Sequence, residues 1–382
     1  MERGSPLEPE AITDLLAELV RVPSVNPSLD PAEGTGEALI AETGRGWFTA
    51  HGVRAWLEEA APGRPNLVAE IGQRASPTLV LCAHLDTVDT RGMTIPPFEP
   101  RVESGRLYGR GAYDMKCGAA AVMAALAELA TEPLRGSVMA ALVSDEEHAS
   151  LGARHFVAHH RADACILTEP SEGRLVLAHK GFVWLELRTH GRAAHGSRFD
   201  LGKSAIGRMA RIVAALERFD EEVLRKRESH PLLPPPSLHC SMIQGGSGLS
   251  TYAAECVAQV ERRTVPGESE AQVVAEIRRV IADAGEAADV AVSLTRSPLA
   301  CDPESPVARA VRAATGDVTG SAPEEVGVGY WMDAAIFADA GIPAVDYGPT
   351  GAGAHEAVEW VDLESVVTTA RVLAGAARRF LG

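Results

Sequence analysis

The spacing of apolar residues predicts alternating strands and helices in the first half of the chain. Short apolar runs bounded by turn residues predict buried strands over 78–83, 137–143 and 164–167. Apolar residues at helical spacing predict helices over 9–20, 36–52, 118–130 and 152–159. Strands that alternate with helices are typical of βαβ units, so we expect a mostly parallel sheet with flanking helices.

The pattern changes after about residue 179, where apolar and polar residues alternate as in half-exposed strands. The predicted elements of this part are strands over 182–189, 238–243, 254–264 and 289–295 and helices over 201–216 and 272–284. They predict an α+β unit with an antiparallel sheet. The first pattern resumes after residue 302, with helices over 306–314, 333–340 and 362–380 and a strand over 342–346.

Composition excludes several classes of protein. The chain has 382 residues and a net charge of −16, which argues against nucleic acid as a partner and against a basic membrane-binding surface. Its most apolar stretch, residues 117–129, is too short for a bilayer, which needs about 20 residues. The first 20 residues show no basic-then-apolar signal region. The six cysteines form no CxxC pair, so we expect reduced thiols and a cytoplasmic location.

Side chains that can bind a metal follow each of the three buried strands. In open α/β sheets, ligands bind beyond the carboxyl ends of the strands. The strand-end residues are His84, Asp86, Asp145, Glu146, Glu147 and Glu169. Asp114, which precedes an apolar helix, and His355, in the loop after the last strand, can join them.

This set contains imidazoles and carboxylates but no cysteine, which suits zinc or another borderline divalent ion. Carboxylates this close repel one another unless a cation offsets their charge; the alternative is that some of them stay protonated. Singly, each residue has a plainer interpretation. Asp114 is then a helix N-cap, and the pair Glu146 and Glu147 is a solvated first turn. Their convergence at one sheet edge favours a site.

Eight motifs, in order along nearly the whole chain, carry a resemblance to a known family. They are LLAELVRVPSVNP, AHLDTVD, GRGAYDMKCG, SDEEHASLGA, TEPS, GRAAHGS, VERRTVPGE and AHEAVEWV. In these motifs the chain resembles the zinc aminoacylase, acetylornithine deacetylase, succinyl-diaminopimelate desuccinylase and glutamate carboxypeptidase family of metallohydrolases.

The resemblance implies a pair of zinc ions. By resemblance, His84 and Glu169 would bind one ion, Glu147 and His355 would bind the other, and Asp114 would bridge both. Oxygen and nitrogen ligands of this kind also accept cobalt or manganese.

The same resemblance implies how the amide bond is cleaved. Asp86 would orient the ring of His84, which fixes its tautomer. Glu146 would be the general base, taking a proton from the attacking water and giving it to the leaving nitrogen.

The family also accounts for the change of pattern along the chain. It implies a catalytic domain formed by 1–178 and 295–382, into which a lid or dimerisation domain, 179–294, is inserted. In a homodimer, His195 would stabilise the oxyanion in the active site of the partner subunit. Arg263 would pair with a carboxylate of the substrate; the alternative is a strand arginine in a salt bridge.

The chain departs from the family pattern where the substrate is recognised. Ser250 stands where many relatives have an asparagine that helps to hold substrate, and Glu261 replaces an expected aspartate. Trp331 and Met332 replace two small residues of a late turn and belong either to a substrate pocket or to the core. These departures affect the prediction of the substrate more than the prediction of the reaction.

Three hypotheses follow for the function. The first is a di-zinc amidohydrolase that cleaves the amide bond of an N-acyl amino acid, similar to acetylornithine deacetylase or succinyl-diaminopimelate desuccinylase. The second is a metallo-carboxypeptidase or dipeptidase on the same scaffold. The third is a catalytically silent relative that only binds a ligand, which would have no need for the complete set of metal-binding side chains.

Overall fold

The computed structural model describes residues 5–73 and 77–382, which divide into two units. Unit 1 comprises the described residues up to Leu177 together with Cys301–Val326 and Met332–Gly382, and unit 2 comprises Ala178–Ala300 and Gly327–Trp331. Residues 1–4 and 74–76, which fall in the predicted range 1–178, lie outside the described residues. The division of the chain into a catalytic domain and a lid or dimerisation domain stays a prediction.

The helices of the described residues are numbered in chain order. They are α1 (Pro9–Arg21), α2 (Ala38–Ala50), α3 (Lys116–Leu129), α4 (Leu151–His159), α5 (Ala205–Glu222), α6 (Glu270–Asp283), α7 (Pro306–Thr319), α8 (Ala334–Asp339) and α9 (Leu363–Leu381). A short 3-10 helix follows α5 at Leu224–Lys226.

The strands are numbered in the same way. They are β1 (Arg54–Ala61), β2 (Arg64–Gly72), β3 (Thr78–His84), β4 (Arg101–Glu103), β5 (Arg106–Tyr108), β6 (Ser137–Val143), β7 (Ala164–Leu167), β8 (Leu175–His179), β9 (Gly181–His190), β10 (Ser237–Gly245), β11 (Glu255–Thr264), β12 (Asp289–Arg296), β13 (Leu299–Ala300), β14 (Glu325–Val328), β15 (Ala344–Asp346), β16 (Gly351–Ala352) and β17 (Trp360–Asp362).

The central sheet has the strand order β1-β2-β6-β3-β7-β15-β8, and β13 pairs with the end of β8. Its middle, from β6 through β3 and β7 to β15, is parallel, whereas the outer pairs are antiparallel. Every residue of β6 and β7 is buried, as expected for parallel strands covered by helices on both faces. The predicted α/β fold with a mostly parallel central sheet is confirmed.

Several features of the fold differ from the sequence prediction, among them a hairpin and the start of one helix. Residues 54–72, for which no strand was predicted, form the antiparallel hairpin β1–β2. The predicted helix 201–216 begins too early, because the hydroxyl of Ser204 accepts a hydrogen bond from the Gly207 amide and caps α5 at that point. The helix then continues to Glu222.

A small antiparallel sheet in unit 1 joins two distant parts of the chain. Its strand order is β16-β17-β5-β4, and Trp360 pairs with Tyr108 while Val361 pairs with Leu107. The loop between β16 and β17 therefore lies beside the segment that leads from β5 into α3.

Unit 2 contains a separate antiparallel sheet, with the order β10-β11-β9-β12. Residues of β9 alternate between buried and more exposed positions, because α5 and α6 pack on one face of the sheet. Leu185 and Leu187 of the sheet share a core with Met209 of α5 and Ile277 of α6. The predicted antiparallel sheet is confirmed. None of the helices in the described residues has the length and apolar character needed to cross a membrane.

The packing of α3, which begins two residues after Asp114, supplies a stability test. This helix packs against α1, α9, β3 and β6, and Leu126 is fully buried within it. We expect Leu126→Ala to lower the free energy of unfolding by about 2–5 kcal/mol, because it leaves a cavity. The control Leu39→Ala, at a position 60 % exposed, should change it by less than about 0.5 kcal/mol. Urea unfolding measures both; similar losses would contradict this packing.

Candidate metal centre

The carboxyl ends of three neighbouring strands bring the predicted ligands together. β6, β3 and β7 are adjacent and parallel, so the residues that follow them lie at one edge of the sheet. His84 ends β3, Glu147 follows β6 and Glu169 follows β7. Asp114 precedes α3, and His355 lies in the loop between β16 and β17.

These five residues form two groups that share one carboxylate. In the first, the Nε2 atom of His84 lies 3.2 Å from Asp114 Oδ1 and 3.8 Å from Glu169 Oε1. In the second, the Nε2 atom of His355 lies 3.3 Å from Asp114 Oδ2 and 3.1 Å from Glu147 Oε1. Each oxygen of Asp114 therefore faces a different histidine.

The geometry of both groups fits a divalent ion such as zinc. The ligand atoms of each group lie within 4.8 Å of one another, and two ligands on one tetrahedral zinc ion lie roughly 3.3 Å apart. The Nδ1 atom of His84 lies 2.9 Å from the backbone oxygen of Asp86, which favours a proton on Nδ1. The lone pair of Nε2 is then directed at Asp114 and Glu169, as a metal ligand requires.

The site concentrates negative charge in a buried place. Burial raises the pKa of Glu169 to about 8, and the charges of Asp114 and Glu147 add to this effect. Burial also raises the pKa of Glu147, to which the charge of Asp114 contributes. Hydrogen bonds to Asp114 and Glu147 raise the pKa of His355 to about 10. A positive charge is thus favoured at the position where His355 meets the carboxylates.

The carboxylate of Asp86 contacts the general-base candidate more closely than it contacts the ring of His84. Asp86 Oδ1 lies 3.6 Å from His84 Nδ1, whereas the backbone oxygen of the same residue lies 2.9 Å from that atom. The carboxylate instead accepts hydrogen bonds from the amides of Glu146 and Glu147, at 3.1 and 3.2 Å. It therefore fixes the backbone that carries both glutamates.

A buried polar network behind Asp86 was not found by sequence reasoning. The amide nitrogen of Asn26 donates to Asp86 Oδ2 at 2.7 Å and to Asp145 Oδ1 at 3.0 Å. Arg64 makes two hydrogen bonds of 2.5 Å to Glu37 and one of 3.0 Å to Asp145. The only sequence signal was the motif VPSVNP, which contains Asn26 but does not reveal its partners.

Glu169 also has a buried partner that sequence reasoning missed. The amide of Glu169 donates to Asp346 Oδ1 at 2.7 Å. Asp346 is fully buried, and burial together with the charge of Glu169 raises its pKa well above the usual value. Asp346 ends the predicted strand 342–346, so its position at a strand end was the available signal.

The structure places the other predicted site residues in unit 2. His195 is exposed, with its Nδ1 atom 2.9 Å from Ser197 Oγ, and its backbone bridges to Thr251. The neighbouring Ser250 is exposed and accepts a hydrogen bond from the Gly196 amide at 2.7 Å.

Arg263, on the inner strand β11, donates to Glu261 Oε1 at 2.7 Å and lies over the ring of Phe182. Its guanidinium thus makes a salt bridge with Glu261, as in the alternative to substrate binding that the sequence left open.

Trp331 and Met332, the two bulky residues of the late turn, belong to different units. Met332, in unit 1, is 1 % exposed and belongs to the core. Trp331, in unit 2, is partly exposed; its ring meets Phe182 edge-on and its Nε1 donates to the Ser297 backbone oxygen at 3.1 Å.

An α/β sheet that carries two overlapping histidine–carboxylate groups at its strand ends is a candidate centre for two metal ions. The sequence pattern of peptidase family M20/M25/M40 matches residues 80–379. The chain belongs to this family and is accordingly a metal-dependent hydrolase that acts on amide bonds.

Similar proteins include both deacetylases and peptidases. The acetylornithine deacetylase of Myxococcus xanthus is 30% identical over 386 residues, which cover 97% of this chain and 98% of the relative. The aminopeptidase PepT from Bacillus cereus has a TM-score of 0.80 at 19% identity, with 99% of this chain and 100% of that chain covered. The M20 family metallo-carboxypeptidase Sso-CP2 from Sulfolobus solfataricus has a TM-score of 0.77 at 20% identity, with 97% and 99% covered.

The network behind the site supplies a test with a pH signature. Asn26→Asp would place a third carboxyl between Asp86 and Asp145, where burial and like charge raise its pKa above the unfolded value of about 3.9. A raised folded-state pKa means that stability is retained at low pH and lost as the pH rises. We therefore expect a loss of about 3 kcal/mol or more at pH 8 and a smaller loss at pH 5.

Urea unfolding at the two pH values measures this difference. The control Gln244→Glu makes the same chemical change at an exposed position of β10 and should be nearly neutral at both. A loss for Asn26→Asp that does not grow with pH would contradict the described contacts.

Proposed function

We propose that this chain hydrolyses the amide bond of a small N-acyl amino acid that carries a free carboxylate. The observation that carries the proposal is the position of Asp114, which is shared by two candidate metal-binding groups. One of these groups contains Glu147, the residue that follows Glu146 in the chain. The similarity to the Myxococcus xanthus acetylornithine deacetylase, which extends over nearly all of both chains, supports acyl amino acids as the substrate class.

The proposed cofactor is a pair of zinc ions, although cobalt or manganese would suit the same ligands. His84 and Glu169 would hold one ion, Glu147 and His355 would hold the other, and Asp114 would contact both. When bound, such ions polarise the scissile carbonyl and lower the pKa of a water molecule.

Glu146 is proposed as the general base. Its amide is held by Asp86, and the neighbouring residue Glu147 belongs to a ligand group, whereas Glu146 itself belongs to neither group. Its carboxylate is thus left to take a proton from the attacking water and to deliver it to the amide nitrogen. An amide has a poor leaving group, so delivery of that proton is needed for bond cleavage.

Residues of unit 2 have proposed roles in the same reaction. His195 would stabilise the oxyanion of the partner subunit in a homodimer, which accords with its exposed loop position. Arg263 would bind a substrate carboxylate and Ser250 would contact the substrate. Arg263 would then have to exchange or share its bond to Glu261. We propose that the enzyme acts in the cytoplasm.

Dipeptides are the second substrate class to test. Solved structures with this fold include an aminopeptidase and a carboxypeptidase, so the fold accommodates peptide substrates as well. A carboxypeptidase or dipeptidase would use the same ligands and the same base.

The first experiment compares substrates with and without metal. We expect the purified protein to hydrolyse at least one N-acetyl or N-succinyl amino acid faster than any dipeptide. A chelator should abolish turnover, and added zinc should restore it. Product amines can be measured by mass spectrometry. Activity that survives complete metal removal, or no hydrolysis in the whole panel, would contradict the proposal.

The second experiment separates the base from a ligand. Glu146→Gln should lower kcat by at least about 100-fold while two zinc ions remain bound, since it removes only the proton acceptor. The matched change Glu147→Gln, one residue along the chain, should weaken zinc binding as well. Zinc content is measured by plasma mass spectrometry. If Glu146→Gln lost zinc, the assignment of Glu146 as the base and Glu147 as the metal ligand would be wrong.

A further inference from the structure

A fully buried glutamate outside both ligand groups holds the backbone around Asp114. Glu359 lies four residues after His355 and is 0 % exposed. Its Oε1 atom accepts hydrogen bonds from the amides of Tyr113 and Asp114, at 2.9 and 3.0 Å. Its Oε2 atom accepts a hydrogen bond from the Gly111 amide at 3.0 Å. One side chain thus satisfies three backbone donors in the segment that carries the shared carboxylate.

The remaining bond of Glu359 is an ion pair with Arg110. The Nη1 atom of Arg110 donates to Glu359 Oε2 at 2.7 Å, and both side chains are buried. The same guanidinium donates to the backbone oxygens of Asp89 at 3.1 Å and Glu356 at 3.4 Å. Arg110 therefore connects its own segment to Asp89 and to the segment that contains Glu356 and Glu359.

The position of Glu359 links two metal-binding residues of the second group. It directly precedes β17, which pairs with β5, and its backbone oxygen accepts from the Gly109 amide at 3.2 Å. Asp114 follows β5 and His355 precedes β17, so the segments that carry them meet at Glu359. A shift of this contact would move Asp114 relative to His355.

A carboxylate is the side chain that this arrangement requires. Each of its oxygens accepts two hydrogen bonds, and all four donors are N–H groups. A glutamine has one carbonyl oxygen, so its NH2 group would face donors on the other side. Two buried donors would lose their partners, and the charge of Arg110 would be left unpaired.

We propose that Glu359 is a positioning residue of the metal centre, which sets the distance between Asp114 and His355 and thereby the affinity for the second ion. This inference rests on the metal centre of the proposed function. It assigns to Glu359 no contact with a metal ion or with the substrate.

The test measures zinc affinity as well as activity. Glu359→Gln should weaken the binding of one zinc ion by about 10- to 100-fold, since removal of a group that orients a ligand has this effect. At the lowest free zinc concentration that loads the wild type with two ions per chain, the variant should hold about one. Excess zinc should restore much of kcat, a response that a purely structural role would not produce. The control Glu364→Gln, at an exposed position, should bind zinc like the wild type.

A paired variant covers the case in which the single change unfolds the protein. Arg110→Met combined with Glu359→Gln removes both charges together, so no buried charge is left unpaired. It should fold and still bind zinc about 10- to 100-fold more weakly. Far-UV circular dichroism checks the fold, and the absorption spectrum of the cobalt-substituted protein reports the geometry of the ligands.

Wild-type zinc affinity and cobalt spectrum in either folded variant would overturn the inference. Loss of the fold in both variants would overturn it as well, because Glu359 would then serve the fold rather than the metal centre. Failure of the proposed function is distinguished by the wild type, which would then bind no zinc or hydrolyse no amide whatever the variants do.

Discussion

The rest of the site depends on how the mutual repulsion of its carboxylates is offset. Asp114, Glu147 and Glu169 meet in a largely buried place, where like charges are costly. The ring nitrogens of His84 and His355 face these carboxylates, and the fold supplies N–H donors to the carboxylate of Asp86 behind them. A divalent cation in each of the two groups would complete this balance, which is why the geometry points to metal rather than to a set of protonated acids.

The parallel centre of the sheet makes this concentration of charge possible. Three strands end side by side, and every residue of β6 and β7 is buried, so the ionisable ligands lie at or beyond the strand ends. The ligands that do not come from strand ends, Asp114 and His355, are held beside them by the small sheet of β5 and β17. Two sheets of unit 1 thus position the candidate ligands. The central sheet holds those at its strand ends, and the small sheet holds Asp114 and His355.

The sequence predicted the elements with a strong apolar period and the ligands placed at their ends. His84 and Glu169 could be found in this way because a short continuous apolar run indicates a buried strand, and both residues stand at the end of such a run. The hairpin β1–β2 was missed because its first strand is half-exposed and lacks a continuous apolar run. The hydrogen bonds of Asn26 and Asp346 were missed for a different reason, since a bond between residues far apart in sequence does not show which residues it joins.

The central claim is that Asp114 joins two metal ions. The most direct measurement is an anomalous difference map at the zinc edge from crystals of the zinc-loaded protein. The structure predicts two peaks, one between His84 and Glu169 and the other between Glu147 and His355, with Asp114 in contact with both. A single peak, or peaks that do not touch Asp114, would contradict the account.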